Sequence, residues 1–287
     1  MNQTKTVALL ALLSALLIAV SYWTIGGWGG AIFGAILAAV TNLGSWYYSD
    51  KIALAAYRAQ PVSQEQAPEL YNLVRRLCDR AELPMPGVYV VPTPAANAFA
   101  TGRDPENAAV AVTEGLLNLL PEDELEGVLA HELSHVANRD TLTQAVTATI
   151  AGAISFLAQI ASYGLWFSGG SRSDGRGSNP IGLLAAIVLA PLAATVIQMG
   201  ISRTREFAAD AGAARLTKNP KALANALQRL ESSAQKLPMQ GNPAFEPLLI
   251  THGFTKDLMG SLFSTHPSTE ARIEKLMELE RELSAIA

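Results

Sequence analysis

Three stretches of this 287-residue chain contain no Asp, Glu, Lys or Arg: residues 6–49, 141–171 and 177–202. A helix needs roughly 20 apolar residues to cross the hydrocarbon core of a bilayer. These stretches therefore limit the possible folds more than any other feature. They hold 101 residues, and the other 186 carry all 46 charged side chains. That is about a quarter, the ordinary share in a soluble protein. The overall value of 16% charged residues is thus a mixture of two populations. A single soluble globule does not fit. Neither does a disordered chain, since 49% of the residues are hydrophobic.

The first stretch reads as two spans, 6–21 and 25–48, joined by a tight turn at Tyr22-Trp23-Thr24 and Gly26-Gly27. Residues 146–167 and 181–201 supply a third and a fourth, the last with a kink expected at Pro191. Trp23, Trp28, Trp46, Tyr47, Tyr48 and Trp166 stand near span ends, where interfacial aromatics collect. Gly30 and Gly34 form a G-x-x-x-G pair that lets helices approach closely. A signal peptide is the competing reading of the first span, but another span follows it at once. Lys5, Lys51, Arg58, Arg139, Arg203 and Arg205 flank one side of the spans, and only Arg172 and Arg176 the other. This asymmetry predicts cytoplasmic termini and a cytoplasmic charged domain. A net charge of -4 provides no footprint for nucleic acid. The lone Cys78 cannot form an internal disulfide and reads as a structural residue.

The charged part comes in two pieces, 51–140 and 202–287. A helix is expected over 63–83, with Ser63 and Gln66 as a capping box and Pro84 and Pro86 ending it. Residues 88–91 and 108–113 read as strands, and 97–102 as a third strand or a loop. Pro121 opens a helix with Glu122, Asp123 and Glu124 in its first turn. Helices follow over 204–216 and 221–235. Ser268 caps a last one with Ile273, Leu276, Met277 and Leu283 inward. The soluble fold is α+β, with helices dominating.

The helix from Pro121 carries His131-Glu132-Leu133-Ser134-His135, an H-E-x-x-H sequence. Residues i and i+4 share a helix face, so two imidazoles can meet one Zn²⁺. Glu132 is one position round and reaches a water rather than the metal. With four His and 25 acidic residues in the chain, at most about 0.005 such matches arise by chance. Catalytic zinc commonly has three protein ligands. Glu206, His252 and His266 are the candidates for the third, and the residue pattern favours Glu206. Glu206 and Asp210 share a helix face. One carboxylate can bind the metal while the other accepts an N–H from a metal-bound histidine.

These motifs resemble those of the HtpX-type integral-membrane zinc metalloproteases of bacteria, gluzincins related to the CAAX-prenyl endoproteases. The resemblance covers essentially the whole chain. It includes the four-span layout, Asn97-Ala98-Phe99-Ala100-Thr101-Gly102, the His131 motif, Arg203-x-x-Glu206-Phe207-x-Ala209-Asp210 and Thr265-His266-Pro267. It implies Glu206 as the third ligand, Asp210 behind the ligands, residues 97–102 as the edge strand that pairs with substrate, and His266 near the oxyanion. It also implies quality control of damaged membrane proteins, often under heat stress.

The expected architecture is therefore four transmembrane helices and a cytosolic zincin-like domain with a small β-sheet. Residues 1–50 form a transmembrane hairpin, and 51–140 the first catalytic segment. Residues 141–201 form a second hairpin around a Gly/Ser-rich loop at 168–180, and 202–287 the second catalytic segment. One Zn²⁺ per chain is expected, held by His131, His135 and Glu206. Glu132 is the expected base, and Asp210 and Arg203 the expected supporting groups. The partners are polypeptides, chiefly membrane proteins, and the lipid bilayer of a bacterial inner membrane. The alternatives are a CAAX-prenyl-type processing protease and a non-catalytic zinc-stabilised scaffold. The scaffold requires a closed four-ligand site. A site-2-type intramembrane protease places its motif inside a span, whereas here the acidic run 122–126 precedes His131.

Overall fold

The computed structural model describes residues 11, 14–142, 159, 204–239, 248–250 and 267–286. The chain divides into two compact units, residues 1–47 with 146–198 and residues 48–145 with 199–287. The expected spans at 146–167 and 181–201 lie outside the described residues, apart from helical Gln159.

Helix α1 (14–21) of the first unit leads through a π-helical turn, Tyr22–Gly26, into α2 (Gly27–Ala56), whose residues from Tyr48 onward belong to the second unit. The helical stretch Ser14–Gly44 is apolar and long enough to cross a membrane, with a mean hydropathy of 1.5. It folds back on itself. Gly26 and Gly27 take φ of +102° and +59°, a left-handed reversal that glycine makes without strain. The Asn42 side-chain amide then donates to Ser14 Oγ at 3.0 Å, across a distance that a straight helix would make about 42 Å. A Cβ at Gly30 would overlap the Ser21 carbonyl, and one at Gly34 would come within 2.9 Å of Ile18 Cα. The G-x-x-x-G pair thus admits the backbone of its own hairpin partner. Trp28, Ile32, Phe33, Ile36, Val40 and Leu43 point outward. In water that apolar face would be costly, and in lipid it is matched. Tyr48 breaks α2 with φ -109° and ψ 21°.

The second unit is built on a mixed four-stranded sheet. Its strands are β1 (Gln60–Pro61), β2 (Gly87–Val91), β3 (Ala98–Gly102) and β4 (Ala108–Thr113), in the order β1-β2-β4-β3. β2 and β4 are parallel, β3 runs antiparallel to β4, and β1 runs antiparallel to β2. β3 is thus an edge strand. Helices α3 (Pro68–Ala81), α4 (Glu114–Leu119) and α5 (Glu122–Ala137) follow the chain. They are joined by α6 (204–217), α7 (Pro220–Lys236) and α8 (Thr269–Ile286).

The expected helix over 63–83 begins later, at Pro68. Ser63 is held in a turn instead, with its N–H on Gln66 Oε1 at 2.8 Å. Proline, which lacks an N–H, sits without penalty in the first helical turn. The helix ends where Glu82 turns left-handed and Leu83 N–H closes on Cys78 O at 3.0 Å. α5 carries three acidic residues in its first turn, where they suit the helix dipole. The short strand β1 and helix α4 had no sequence expectation.

The main core lies between one sheet face and α3, α5, α7 and α8. It is built from residues such as Leu77, Val110, Leu129, Leu133, Leu227 and Leu276. Ala98 and Ala100 on β3 are small members of this core, and β3 packs against α5. α5 meets α7 at Gly127, where a Cβ would come within 3.1–3.2 Å of Leu223. The opposite sheet face packs Phe99, Ala109 and Ala111 against Leu54, Tyr57, Leu248 and Leu249. In α8, Leu276 is buried, and Ile273, Met277 and Leu279 pack on the core. Leu283, expected inward, is outside that cluster, and Arg272 is buried in its place.

Candidate metal centre

α5 brings His131 and His135 one turn apart, with ring centroids at 4.7 Å and planes at 89°. α6 brings in Glu206. His131 Nε2 lies 3.5 Å from one of its carboxylate oxygens, and His135 Nε2 lies 3.4 Å from the other. All three side chains are buried. Strong charge-assisted hydrogen bonds are shorter, about 2.7–2.9 Å. Ligands held about 2.05 Å from a tetrahedral ion, in contrast, stand roughly 3.3 Å apart. The histidine–carboxylate spacing is therefore one that a metal ion could bridge. The donor atoms all lie within 4.8 Å of one another, the one such group among the described residues.

Charge supports the same fit. Four carboxylates are buried here, Glu132, Glu206, Asp140 and Asp210, against two guanidiniums, Arg205 and Arg272. With neutral imidazoles, two negative charges remain, the charge that one divalent cation offsets. Burial alone would keep the imidazoles neutral. Asp210 and Glu206 nevertheless push His131 up, and Asp140 and Glu206 push His135 up to about 10. A buried site that draws protons onto its histidines is short of positive charge.

Glu132 is buried between the histidines and the sheet. Burial pushes its carboxyl above the usual range, against the pull of His131 and His135, and the backbone N–H of Ala100 donates to it. Asp210 lies 2.9 Å from His131 Nδ1. Burial would raise its carboxyl, but Arg272 donates to it at 2.7 and 2.8 Å and holds it below the usual range. Arg272 also donates to the Ile250 carbonyl at 2.9 Å and stands 3.5 Å from a Glu206 oxygen.

Of residues 97–102, Ala98–Gly102 form a strand with one edge away from β4, Asn97 preceding it, but that edge is not bare. Ile250 N–H donates to Ala98 O and to Asn97 Oδ1, both at 3.1 Å. Thr141 Oγ1 donates to Gly102 O at 2.9 Å. Phe99 turns into the second core, and Thr101 donates to Ser49 O at 3.1 Å. His252, His266 and Arg203 lie outside the described residues. Cys78 is away from the centre, buried, and its thiol is pushed up to about 11 by burial.

Arg272, Asp140 and Arg205 reach the site without having been expected there. Arg272 had a readable signal. It is four residues from Leu276, so it lies on the inward face of an amphipathic helix. Asp140 had none, because its approach to His135 depends on a turn that ends α5.

Residues 64–280 match Peptidase family M48. The Protease HtpX homolog of Nostoc punctiforme is 68% identical over 282 residues, 98% of each chain. That of Pyrococcus abyssi is 50% identical over 284 residues, 98% of this chain and 97% of its own. The fold is also similar to the crystal structure of S. mikatae Ste24p, with a TM-score of 0.50 and 22% identity. That likeness covers 84% of this chain and 56% of the other, so this chain spans little more than half of its length. The family match contains both histidines, Glu132, Glu206 and Asp210, and the relatives match over nearly their whole length. The chain belongs to peptidase family M48 and is a membrane metalloendopeptidase.

Proposed function

We propose that the chain is a zinc endopeptidase of the bacterial inner membrane that cleaves misfolded or damaged membrane proteins at the cytoplasmic face. The observation that carries the reading is the approach of His131 Nε2 and His135 Nε2 to the two Glu206 carboxylate oxygens, at 3.5 and 3.4 Å, with all three side chains buried. Two imidazoles and one carboxylate are a common zinc donor set, and three ligands leave a position for water. Zinc there supplies a Lewis acid and makes water a better proton donor. Residues 1–50 and 141–201 are assigned to the membrane, and 51–140 and 202–287 to the catalytic domain. The cytoplasmic placement rests on the basic residues near the span ends.

Glu132 takes a proton from the attacking water and delivers it to the leaving nitrogen. Its place supports this role, because it is buried on α5 directly beside His131 and is held by the Ala100 N–H. Asp210 accepts the Nδ1–H of His131 and so turns Nε2 towards the metal. An extended substrate adds to β3 along Asn97–Gly102, by backbone hydrogen bonds that tolerate many sequences. To bind at Ala98 it must take over the bond now made by Ile250 N–H. His266 donates to the developing oxyanion, a role that rests on the family resemblance. Arg203 is assigned a supporting role, orienting Glu206 or the intermediate, from its place three residues before Glu206; the alternative is contact with lipid headgroups.

Glu132→Gln is the direct test. Cleavage of an unfolded membrane-protein substrate should fall about 10²–10⁴-fold, with zinc content unchanged. Wild-type turnover by the zinc-loaded variant would remove Glu132 as the base. Glu206→Ala should lose zinc and His266→Ala should keep it. The reverse pattern would exchange their roles.

A further inference from the structure

His131 is backed by a carboxylate clamped by an arginine. His135 has a matching arrangement on its other side. Asp140 Oδ2 lies 3.3 Å from His135 Nδ1, and Asp140 Oδ1 lies 3.4 Å from Arg205 Nε. Asp140 is 3% exposed and Arg205 8% exposed, so neither is a solvated surface charge.

A continuing helix would not produce this contact. Five residues of helix rotate a side chain about 140° away from the starting face. Instead α5 stops at Ala137, and Arg139 takes φ +57°. Helical conformation resumes at Asp140. The turn is fastened to the sheet, because Thr141 Oγ1 donates to the carbonyl of Gly102, the last residue of β3. Arg205 comes from α6, one residue before Glu206. One helical segment therefore carries both the proposed third ligand and the clamp on the carboxylate behind His135.

We propose that Asp140, held by Arg205 and by the Thr141-fastened turn, is a positioning residue of the metal centre. It accepts the Nδ1–H of His135, sets the tautomer, and aims the Nε2 lone pair at the ion. The inference rests on His131, His135 and Glu206 being the ligands. Each imidazole is then oriented by its own carboxylate–guanidinium couple, Asp210–Arg272 for His131 and Asp140–Arg205 for His135. Supporting carboxylates of this kind commonly change metal affinity 10–100-fold when removed.

The test uses the full-length protein in detergent, with zinc affinity measured by competition against a chromophoric chelator. The visible spectrum of the cobalt-substituted protein and the melting temperature of the metal-free protein are recorded alongside. Asp140→Asn and Asp140→Ala should weaken zinc binding about 10–100-fold, the Ala variant more. The cobalt bands should shift, and the loss of zinc affinity in Asp140→Asn should exceed any fall in its metal-free stability, since Arg205 loses its carboxylate whether or not metal is bound. Arg205→Lys should weaken binding less, since it keeps the charge and loses the Nε contact. Wild-type affinity and an unshifted cobalt spectrum in both Asp140 variants would overturn the proposal. So would a loss of affinity matched by an equal loss of metal-free stability, which marks a packing role. His135→Ala separates the two levels. If it keeps full affinity, the ligand reading itself has failed. If it loses affinity while the Asp140 variants do not, only the positioning role has failed.

Discussion

Arg272 is the residue on which several parts of the centre converge. It is buried on α8, donates twice to Asp210, and reaches the Ile250 carbonyl. Burial opposes its charge, and Asp210 and Glu206 override that and raise its pKa further. Removing one partner of a buried pair strands the other without compensation. Arg272→Ala should therefore destabilise the protein by about 3–5 kcal/mol, measured as a loss of denaturant or thermal stability in the metal-free state. A loss below about 1 kcal/mol would place it with the weakly coupled surface pairs. The exposed pair Arg76–Glu122, at 2.8 Å, is of that second kind. The contrast follows from solvent screening rather than from distance.

At the scale of elements, β3 does most to join the fold to the chemistry. It packs against α5, its Ala100 N–H reaches Glu132, and its last residue holds the Thr141 turn. Gly102 makes that ending possible. Its φ is +131°, and a Cβ would collide with the Asn107 carbonyl and lie 2.7 Å from Ala108 Cα. Both obstacles are backbone, so neither gives way cheaply. Gly102→Ala should cost about 1–3 kcal/mol in strain and should displace the Thr141 turn. Zinc affinity should fall with stability in this variant, measured as for Asp140. Unchanged melting and affinity would show that the β3 end relaxes freely. Element starts and stops followed local chemistry where a cap or a proline was present. Examples are Ser268 Oγ on Ala271 N–H and Asn219 on Ala222 N–H, at 3.2 and 3.1 Å.

For the whole molecule, the charge-free stretches are expected to divide the chain between lipid and water. The described hairpin presents Trp28, Ile36 and Leu43 outward, while among the described residues of the second unit Tyr48 and Leu237 are the exposed large apolar side chains. The proposed topology, with both termini cytoplasmic, predicts the 168–180 loop on the opposite side of the bilayer. A single cysteine at Ser171, in a Cys78→Ser background, should react with a membrane-impermeant maleimide added outside spheroplasts. A cysteine at exposed Glu65 should react only after permeabilisation. The opposite pattern would invert the topology and move the catalytic domain out of the cytoplasm.

The H-E-x-x-H spacing, the charge-free runs and the alternation of β-branched residues are local or periodic, and periodicity alone places side chains on faces. This is why β2, β4, α5 and α7 were legible in the sequence, and why the histidine pair and the shared face of Glu206 and Asp210 were too. Other features depend on where distant segments meet. Asp140 reaches His135 only because a left-handed Arg139 ends α5. Arg272 reaches Asp210 across 62 positions of sequence, and Ile250 reaches Ala98 from a stretch without periodic pattern. The sequence by itself determined which chemistry the chain carries and that Ser14–Gly44 is apolar enough to cross a membrane. The tertiary structure decided which charges close around that chemistry, because pairing in a buried site depends on through-space distance, and chain order does not set it.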